Sequence, residues 1–346
     1  MALLKTCTRI IGKSLLAIVL FIISCYLLLL IINWQDAKPN TASLHMQSLL
    51  QPQQIPAEQN GYQYFIAHNT HNELLLTGSL MELNQQCHHA DACSSLLIKQ
   101  DNLTALLAEQ QPLQTFYWQL LQYSQWQEPA PTLQNIPRYQ SLMHGQRLLL
   151  WQAWLNAQGS NVYEVSSALN TDYQFWTTVM ANSNSLISKM VSTNALKWHF
   201  QFGAEIIKQL PPEQRPHALP EVWSTALTDQ VLSLELVMAG EWHFGADILD
   251  NDWLSDPDEN LSVVETVFVK LARPLFLLQD TKNFHAQQLL QHDEQANHPW
   301  YSWLRNPAGK LMLAGSSPAY ADYRQRLQQL EQLKQATLQQ VATALP

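Results

Sequence analysis

The chain has 346 residues, of which 47% are hydrophobic and 14% are charged, and its net charge is −9 at pH 7. An acidic protein repels phosphate backbones, so the charge argues against a nucleic-acid partner. Only 10 glycines are present, and Leu, Gln and Ala predominate. This composition favours helices over sheets with tight turns.

The first element is an uncharged apolar run over residues 15–32, preceded by Lys5, Arg9 and Lys13. A helix of this length is about 27 Å long, close to the hydrocarbon thickness of about 30 Å in a bilayer. Because the basic residues lie on the N-terminal side, the positive-inside rule places residues 1–13 in the cytoplasm. We therefore predict a transmembrane anchor over residues 14–33, with the remaining residues outside the cytoplasm.

Two alternatives compete for this segment, a cleaved signal peptide and a buried core helix. The apolar core of a signal peptide usually has about 7–15 residues and precedes a site of small residues. The run here is longer, and the nearest candidate site, Asn40-Thr41-Ala42, has Asn at position −3. A core helix would leave the basic flank unexplained, so the sequence favours an uncleaved anchor.

The chain beyond the anchor is predicted to be an acidic helical domain on a linker. All 28 acidic residues and 16 of the 19 basic residues lie there, which gives this part a net charge of −12. Residues 34–60 are rich in Gln, Pro, Asn and Ala and are predicted to form a linker, with a short helix near residues 44–50. Residues 61–346 are predicted to form the helical domain.

The cysteines divide by compartment. Cys7 is expected in the cytoplasm and Cys25 in the membrane helix, whereas Cys87 and Cys93 lie in the outer domain. In an oxidising space a disulfide between Cys87 and Cys93 is expected. The enclosed His and Asp residues also suggest a metal site, but the spacing lacks the usual C-x2-C pattern. We predict the disulfide, with no metal and no cofactor.

The fold is predicted to be mainly α, with the transmembrane helix followed by an irregular multi-helix bundle or helical array. The segments 61–67 and 74–83 make the only case for β structure, so at most a small β element is expected near 61–83. Pro and Gly residues at 128–137, 159 and 211–212 break the helical pattern. The predicted helices cover residues 102–109, 112–127, 138–158, 163–180, 183–209, 219–239, 261–272, 275–294 and 318–342.

No strong catalytic motif is present: the chain lacks G-x-S-x-G, H-E-x-x-H, a P-loop and a dinucleotide fingerprint. Two histidine pairs are weak metal candidates, and both are expected to be surface or hydrogen-bonded histidines. His68 and His71, near Glu73, lie in a segment without clear helical pattern. His285 and His292, followed by Asp293 and Glu294, would share a helix face about 10 Å apart, too far for one metal.

The 12 tryptophans suggest a glycan-binding surface, because aromatic faces stack on sugars. Most of them fall in predicted helices beside other apolar residues, where core packing is their usual role. Trp300 and Trp303 are the better candidates for exposure. The tryptophans expected in the core are Trp118, Trp151, Trp154, Trp176, Trp198 and Trp223.

Four short segments of the chain are Phe175-Trp176, Leu186–Met190, Glu241–Phe244 and Asn306–Lys310. Together they resemble an uncharacterised family of membrane-anchored bacterial envelope proteins, and the resemblance spans residues 140–345. It implies an inner-membrane protein of a Gram-negative bacterium that faces the periplasm, with no assigned activity and therefore no catalytic residues. From the residues themselves, Asn306-Pro-Ala-Gly is expected to be a turn, and Lys189 either a buried ion-pair partner or exposed.

The leading functional hypothesis is a non-enzymatic, single-pass periplasmic interaction or scaffold protein with an envelope protein as its partner. The alternative is a periplasmic hydrolase acting on cell-wall or peptide substrates, with a site that is assembled only in the fold. A transport-linked binding protein is a third possibility that no specific feature supports.

Overall fold

The computed structural model describes residues 2–69, 74–250, 262–290, 299–314 and 320–343. These residues form helices and connecting turns without a β-strand, apart from a single bridge between Asn60 and Gln125. The prediction of a mainly α protein with an apolar N-terminal helix is confirmed.

The helices follow one another in chain order, with short 3-10 turns between some of them. They are α1 (Ala2–Ile32), α2 (Thr41–Leu49), α3 (Gly61–His68), α4 (Gly78–Gln86), α5 (Ala90–Leu97), α6 (Leu103–Ala108), α7 (Gln111–Leu120), α8 (Gln140–Gln158), α9 (Val162–Asn182), α10 (Leu186–Gln209), α11 (Arg215–Ala218), α12 (Asp229–Leu232), α13 (Glu235–Asp250), α14 (Val263–Ala272), α15 (Leu278–Leu290), α16 (Pro307–Ala314) and α17 (Tyr320–Thr343).

The chain divides into two compact units. The first unit comprises Met1–Ser48 and Trp242–Ala319, and the second comprises Leu49–Glu241 and Tyr320–Pro346. The division falls inside the region that was predicted as one domain, residues 61–346. Each unit is therefore described separately.

The second unit is built around α8, α9 and α10, which pack against one another. Helix α7 packs on α8, while α5 and α17 pack on α10. The core is aromatic: Trp151, Trp154, Trp176 and Trp223 are at most 1% exposed. Burial of such large side chains is the main stabilising contribution in this unit.

The two segments that made the case for β structure, 61–67 and 74–83, contain no strand, because Gly61–His68 is helix α3 and Gly78–Gln86 is helix α4. The Asn60 side chain accepts a hydrogen bond from the Tyr62 N–H and so caps the helix. Tyr62 and Phe65 are buried and make ring contacts with Trp126. Tertiary packing thus decides the conformation of a short segment whose aromatic residues alone suggested a strand.

The single helix predicted over residues 219–239 is also wrong. The structure has a 3-10 turn at Glu221–Ser224, then α12, then the start of α13 at Glu235. The Thr228 side chain caps α12, and the Ser233 hydroxyl accepts from the N–H of Glu235. These two hydroxyl residues start new helices within the segment.

Part of the predicted linker over residues 34–60 is folded within the first unit. Helix α2 buries Met46 and Ser43, both 0% exposed. The Ser43 hydroxyl donates to Asn283 Oδ1 at 2.8 Å, and Asn283 Nδ2 donates to the carbonyl of Lys38 at 2.8 Å. The chain just after α1 is therefore fixed to α15.

Candidate functional site

Helix α1 is the element with the clearest functional implication. Its stretch Ile11–Ile32 is long and apolar enough to cross a membrane, and none of its side chains is buried. In the part of the chain that the structure describes, it is the one helix with these properties. By length and composition alone it fits either a membrane anchor or an N-terminal signal sequence.

The C-terminal end of α1 is bonded to the loop that precedes α16. Asn33 Nδ2 donates to the carbonyls of Leu29 and Leu304, at 2.8 and 3.0 Å. Arg305 Nη1 donates to the Ile32 carbonyl at 3.3 Å, and its Nη2 to the Gln35 carbonyl at 3.1 Å. The last carbonyls of a helix have no intrahelical partner, so these bonds satisfy them. The positive charge of Arg305 also interacts favourably with the negative end of the helix dipole.

Asp36 joins the same end of α1 to the start of α15. Its Oδ2 accepts from the Gln279 N–H at 2.8 Å, and its Oδ1 from the Asp280 N–H at 3.0 Å. A carboxylate at a helix N-terminus satisfies free N–H groups and is favoured by the dipole. The Asp280 carboxylate in turn accepts from Arg305 Nε at 3.2 Å. The residues that follow α1 are thus integrated into the helices of the first unit.

Asn306 starts α16 from a left-handed conformation, with φ of 52°. It is 0% exposed, and its Oδ1 accepts from the N–H groups of Leu277 and Gly309. Gly309 lies inside the helix, not in a turn, and a Cβ there would be 2.0 Å from Thr281 Oγ1. The prediction of a turn over Asn306–Gly309 is therefore wrong: Asn306 caps α16, and Gly309 permits α15 and α16 to approach closely.

The second unit contains a buried chain of polar side chains centred on Asp172. Its Oδ1 accepts from the Tyr117 hydroxyl at 2.8 Å. Its Oδ2 accepts from Gln146 Nε2 at 2.9 Å and contacts His199 Nδ1 at 2.7 Å. Asp172, His199 and Gln146 are all 0% exposed. The Asp–His contact resembles part of a catalytic dyad, so its surroundings determine whether it is available for chemistry.

The other nitrogen of His199 is occupied. Trp223 Nε1 donates to His199 Nε2 at 3.0 Å, and an indole N–H can only donate. Nε2 is therefore an acceptor, and Nδ1 carries the proton that is donated to Asp172. At the other end, Trp176 Nε1 donates to the Tyr117 hydroxyl at 2.9 Å. A general base needs a free nitrogen within reach of substrate, so this network is structural.

Glu128 is the second buried carboxylate of this unit. Its Oε1 accepts from Trp126 Nε1 at 2.9 Å and from the Ser188 hydroxyl, and its Oε2 accepts from the Asn184 N–H at 3.2 Å. Burial raises the pKa of Glu128, and these hydrogen bonds oppose that shift. A cavity of about 350 Å³ adjoins this residue and is also lined by Trp126, Gln127 and Asn184.

Lys189 is buried, with an exposure of 1%, so it is neither the ion-pair partner nor the exposed lysine that the sequence suggested, because its partners are carbonyl groups. Its Nζ donates to the carbonyls of Met180 and Val231, both at 2.7 Å. Burial lowers the pKa of Lys189 to about 7. The ammonium group thus links the end of α9 to α12 at a cost in desolvation.

The histidine candidates do not form a site in the described residues. His68 lies in the second unit, where its Nδ1 contacts the Tyr64 carbonyl at 2.8 Å. His285 lies in the first unit, packs near Gly245, and has its pKa lowered to about 4 by burial.

His71 and His292 lie outside the described residues, as do Glu73, Asp293 and Glu294. Across the described chain, no group of three or more His, Cys, Asp or Glu residues could hold a metal ion.

Cys87 and Cys93 lie at disulfide distance, with their sulfur atoms 2.12 Å apart. Both are at most 2% exposed. They join the end of α4 to α5, so the bond closes a short loop in the second unit. The enclosed His88, His89 and Asp91 have no thiolate left to share with a metal.

The tryptophans divide much as predicted. Five of the six that were expected in the core are buried, at most 5% exposed, but Trp118 is 43% exposed. Trp303, proposed as an exposed candidate, is 44% exposed. The side chain of Trp300 is not among those that the structure describes. The five buried residues are Trp151, Trp154, Trp176, Trp198 and Trp223.

The hydrogen-bonded clusters were missed from the sequence because their members are far apart along the chain. Asp172 and His199 are separated by 27 residues, and Glu128 and Ser188 by 60. The only sequence signal was a polar residue at an otherwise apolar helix position, as at Lys189. Comparison with known proteins adds no assignment: no family model, curated protein or solved structure matches the chain.

Proposed function

We propose that this chain is a non-enzymatic protein of a Gram-negative cell envelope, anchored in the inner membrane by α1. Its N-terminus faces the cytoplasm and its bulk faces the periplasm, where it binds an envelope protein as a scaffold or accessory subunit. The observation that carries the proposal is the unburied apolar stretch Ile11–Ile32, whose outer end is bonded into the first unit.

The bonds at that end favour a permanent anchor over a cleaved signal sequence. Cleavage near Ala42 would remove Asn33 and Asp36, which bind Asn306 and the start of α15. It would also cut the chain next to Asn40, whose N–H donates to Asn283 Oδ1 at 3.0 Å. A signal sequence has no need for such contacts with the mature protein, whereas an anchor gains a fixed connection from them.

A non-enzymatic role is supported by how the polar groups are used. His199 has both ring nitrogens engaged in the core. Asp172 accepts from Tyr117, Gln146 and His199, and it is 0% exposed. These groups act as internal cross-links between helices. What the second unit offers to a partner is its surface, including a groove of about 420 Å³ between α10 and α17 that is flanked by Lys197 and Arg326.

Two experiments test this proposal. Intact-mass measurement of the membrane fraction is expected to give the unprocessed chain of 39.6 kDa, and a C-terminal alkaline phosphatase fusion is expected to be active. A photoreactive amino acid at Lys197 or Arg326 is expected to give a discrete crosslinked protein in cells, and one at the exposed Tyr163 serves as the control. A processed soluble chain, or identical adducts at all three positions, would contradict the proposal.

A second candidate function, a periplasmic hydrolase for cell-wall or peptide substrates, is supported by one feature. Glu128 has a raised pKa and adjoins a cavity of about 350 Å³, as a general acid would. The test is release of soluble fragments from peptidoglycan or a peptide library by the purified protein. Activity that Glu128→Gln abolishes, and that Glu164→Gln on the surface leaves intact, would favour this function.

A further inference from the structure

The first unit presents an apolar surface next to α1. Helix α14 contains six large apolar residues in ten, yet none of its residues is buried. Val264, Val267, Phe268 and Leu271 follow the i, i+3, i+4, i+7 spacing of one helix face, and each is at least 50% exposed. Leu311 of α16, in the same unit, is 63% exposed. Contiguous exposed surface of this kind indicates a binding or membrane-contacting surface.

The position of this surface identifies what covers it. An apolar cavity of about 680 Å³ is lined by Ile22, Ile23 and Tyr26 of α1, together with Phe268, Leu271 and Leu311. Tyr26 and Ile22 precede Ile32 by six and ten residues, so they lie about 9 and 15 Å inside the outer end of α1. If α1 spans a bilayer, α14 and α16 therefore stand at the depth of the acyl chains.

Backbone groups at both ends of α14 have hydrogen-bond partners within the protein. Backbone groups in hydrocarbon need partners within the protein. Ser262 and Glu265 form a capping box that closes the first turn of α14, and the Tyr26 hydroxyl donates to the Leu271 carbonyl at 3.0 Å in the last turn. The exposed Lys270 and Arg273 have long side chains that can extend to lipid phosphates.

The aromatic residues agree with the same depth. Trp34 is 83% exposed and Trp303 is 44% exposed. Trp34 follows Asn33 in the chain, and Trp303 precedes Leu304. Asn33 donates a hydrogen bond to the Leu304 carbonyl at the outer end of α1. Tryptophan is enriched at the level of the headgroups, so this end of α1 corresponds to the membrane surface, and α14 lies below it.

We propose that α14 and the apolar face of α16 are embedded in the outer leaflet of the membrane that α1 crosses, forming a second attachment beside the anchor. The occupant of the cavity is lipid acyl chain. This inference rests on the proposed function, because it requires that α1 spans the membrane. The inference also goes beyond the proposed function, because α14 and α16 would add to the single-pass anchor a broader membrane-embedded base with a fixed orientation.

The test uses the full-length chain, with Cys7→Ser and Cys25→Ala, reconstituted at high lipid dilution in phosphatidylethanolamine–phosphatidylglycerol vesicles. A nitroxide is attached at Val267→Cys or Leu311→Cys, and its collisions with oxygen and with a water-soluble nickel chelate are compared. Phe21→Cys in α1 is the hydrocarbon reference, and Tyr163→Cys, 80% exposed in the second unit, is the aqueous reference. All four positions are exposed, so labelling leaves the packing intact.

The expected result is a several-fold higher ratio of oxygen to nickel collisions at Val267 and Leu311 than at Tyr163, similar to that at Phe21. If the ratios at Val267 and Leu311 were like that at Tyr163 while Phe21 remained in hydrocarbon, the embedded base would be overturned. The proposal that α1 is an anchor would be unaffected. A water-accessible Phe21 would overturn both. Spin–spin broadening at Val267 that persists on dilution would assign the surface to a second copy of the chain and overturn the proposal.

Discussion

The buried Lys189 predicts a measurable pH dependence of stability. Its pKa falls from 10.5, the unperturbed value, to about 7 in the folded protein. Between these values the unfolded state binds more protons than the folded state, so the free energy of unfolding rises with pH. For one group with these two pKa values, the increase from pH 7 to pH 9 is about 2 kcal/mol.

Lys189→Met removes this contribution. At pH 9 the variant is expected to be less stable than the wild type, because the carbonyls of Met180 and Val231 lose their donor and each unsatisfied acceptor costs about 1–3 kcal/mol. At pH 6 the desolvation cost of the ammonium is also removed, so the difference shrinks or reverses. The assay is urea unfolding of the full-length protein in detergent micelles, followed by tryptophan fluorescence at pH 6, 7, 8 and 9.

The matched control is Lys197→Met, a change at an exposed lysine of the same helix. It is expected to leave the pH dependence unchanged, because an exposed ammonium is solvated in both states. Other groups titrate in the same range, so the informative quantity is the difference between wild type and variant at each pH. If the free energies of unfolding of wild type and Lys189→Met differed by the same amount from pH 6 to pH 9, this would refute the conclusion that the Lys189 ammonium is buried.

Three further changes have defined outcomes. Gly240→Ala places a Cβ 1.5 Å from the Asn184 carbonyl oxygen and is expected to cost at least about 3 kcal/mol in thermal or urea unfolding. Asp172→Ala leaves the donors of the buried network without an acceptor and is expected to cost about 3–5 kcal/mol, with a change in tryptophan emission. Cys87→Ala with Cys93→Ala removes a short covalent loop and is expected to cost about 2 kcal/mol.

Each of these changes has a control in the same unit. Gly159→Ala meets no atom closer than 3.3 Å and should be nearly neutral, as should Glu164→Ala on the exposed face of α9. If Gly240→Ala lowered the free energy of unfolding as little as Gly159→Ala does, this would contradict the close approach of α13 to residues 183–185, which connect α9 and α10. A reducing agent should destabilise the wild type as much as the cysteine substitution does, and a wild type that reduction leaves unaffected would contradict the Cys87–Cys93 disulfide.

The long helices of the second unit could be predicted from the sequence because their signals are local. Residues 138–158, 163–180 and 183–209 were expected to be helical, and the structure has α8, α9 and α10 within three residues of those limits. Apolar residues recur at helical spacing over several turns, and Gly159 and Pro211 mark the ends. A pattern of this length outweighs the competing local preferences.

Short segments and polar clusters could not be predicted, because their conformation depends on residues elsewhere in the chain. Helix α3 exists because Asn60 caps it and because Trp126 covers its aromatic residues. The partners of Lys189 are two carbonyls supplied by other helices. No spacing rule in the sequence brings such groups together, so the candidate site emerges only from packing.

The segments that suggested a family of envelope proteins prove to contain structural residues. Trp176 donates to Tyr117 in the buried network, and Lys189 links α9 to α12. Glu241 accepts from the Leu186 N–H at the start of α10, and Asn306 caps α16. Proteins that shared these residues would therefore share the fold without necessarily sharing a reaction. The residues that distinguish function are then to be sought on the surface, at the groove beside Lys197 and along α14, where nothing in the packing requires the residues that are present.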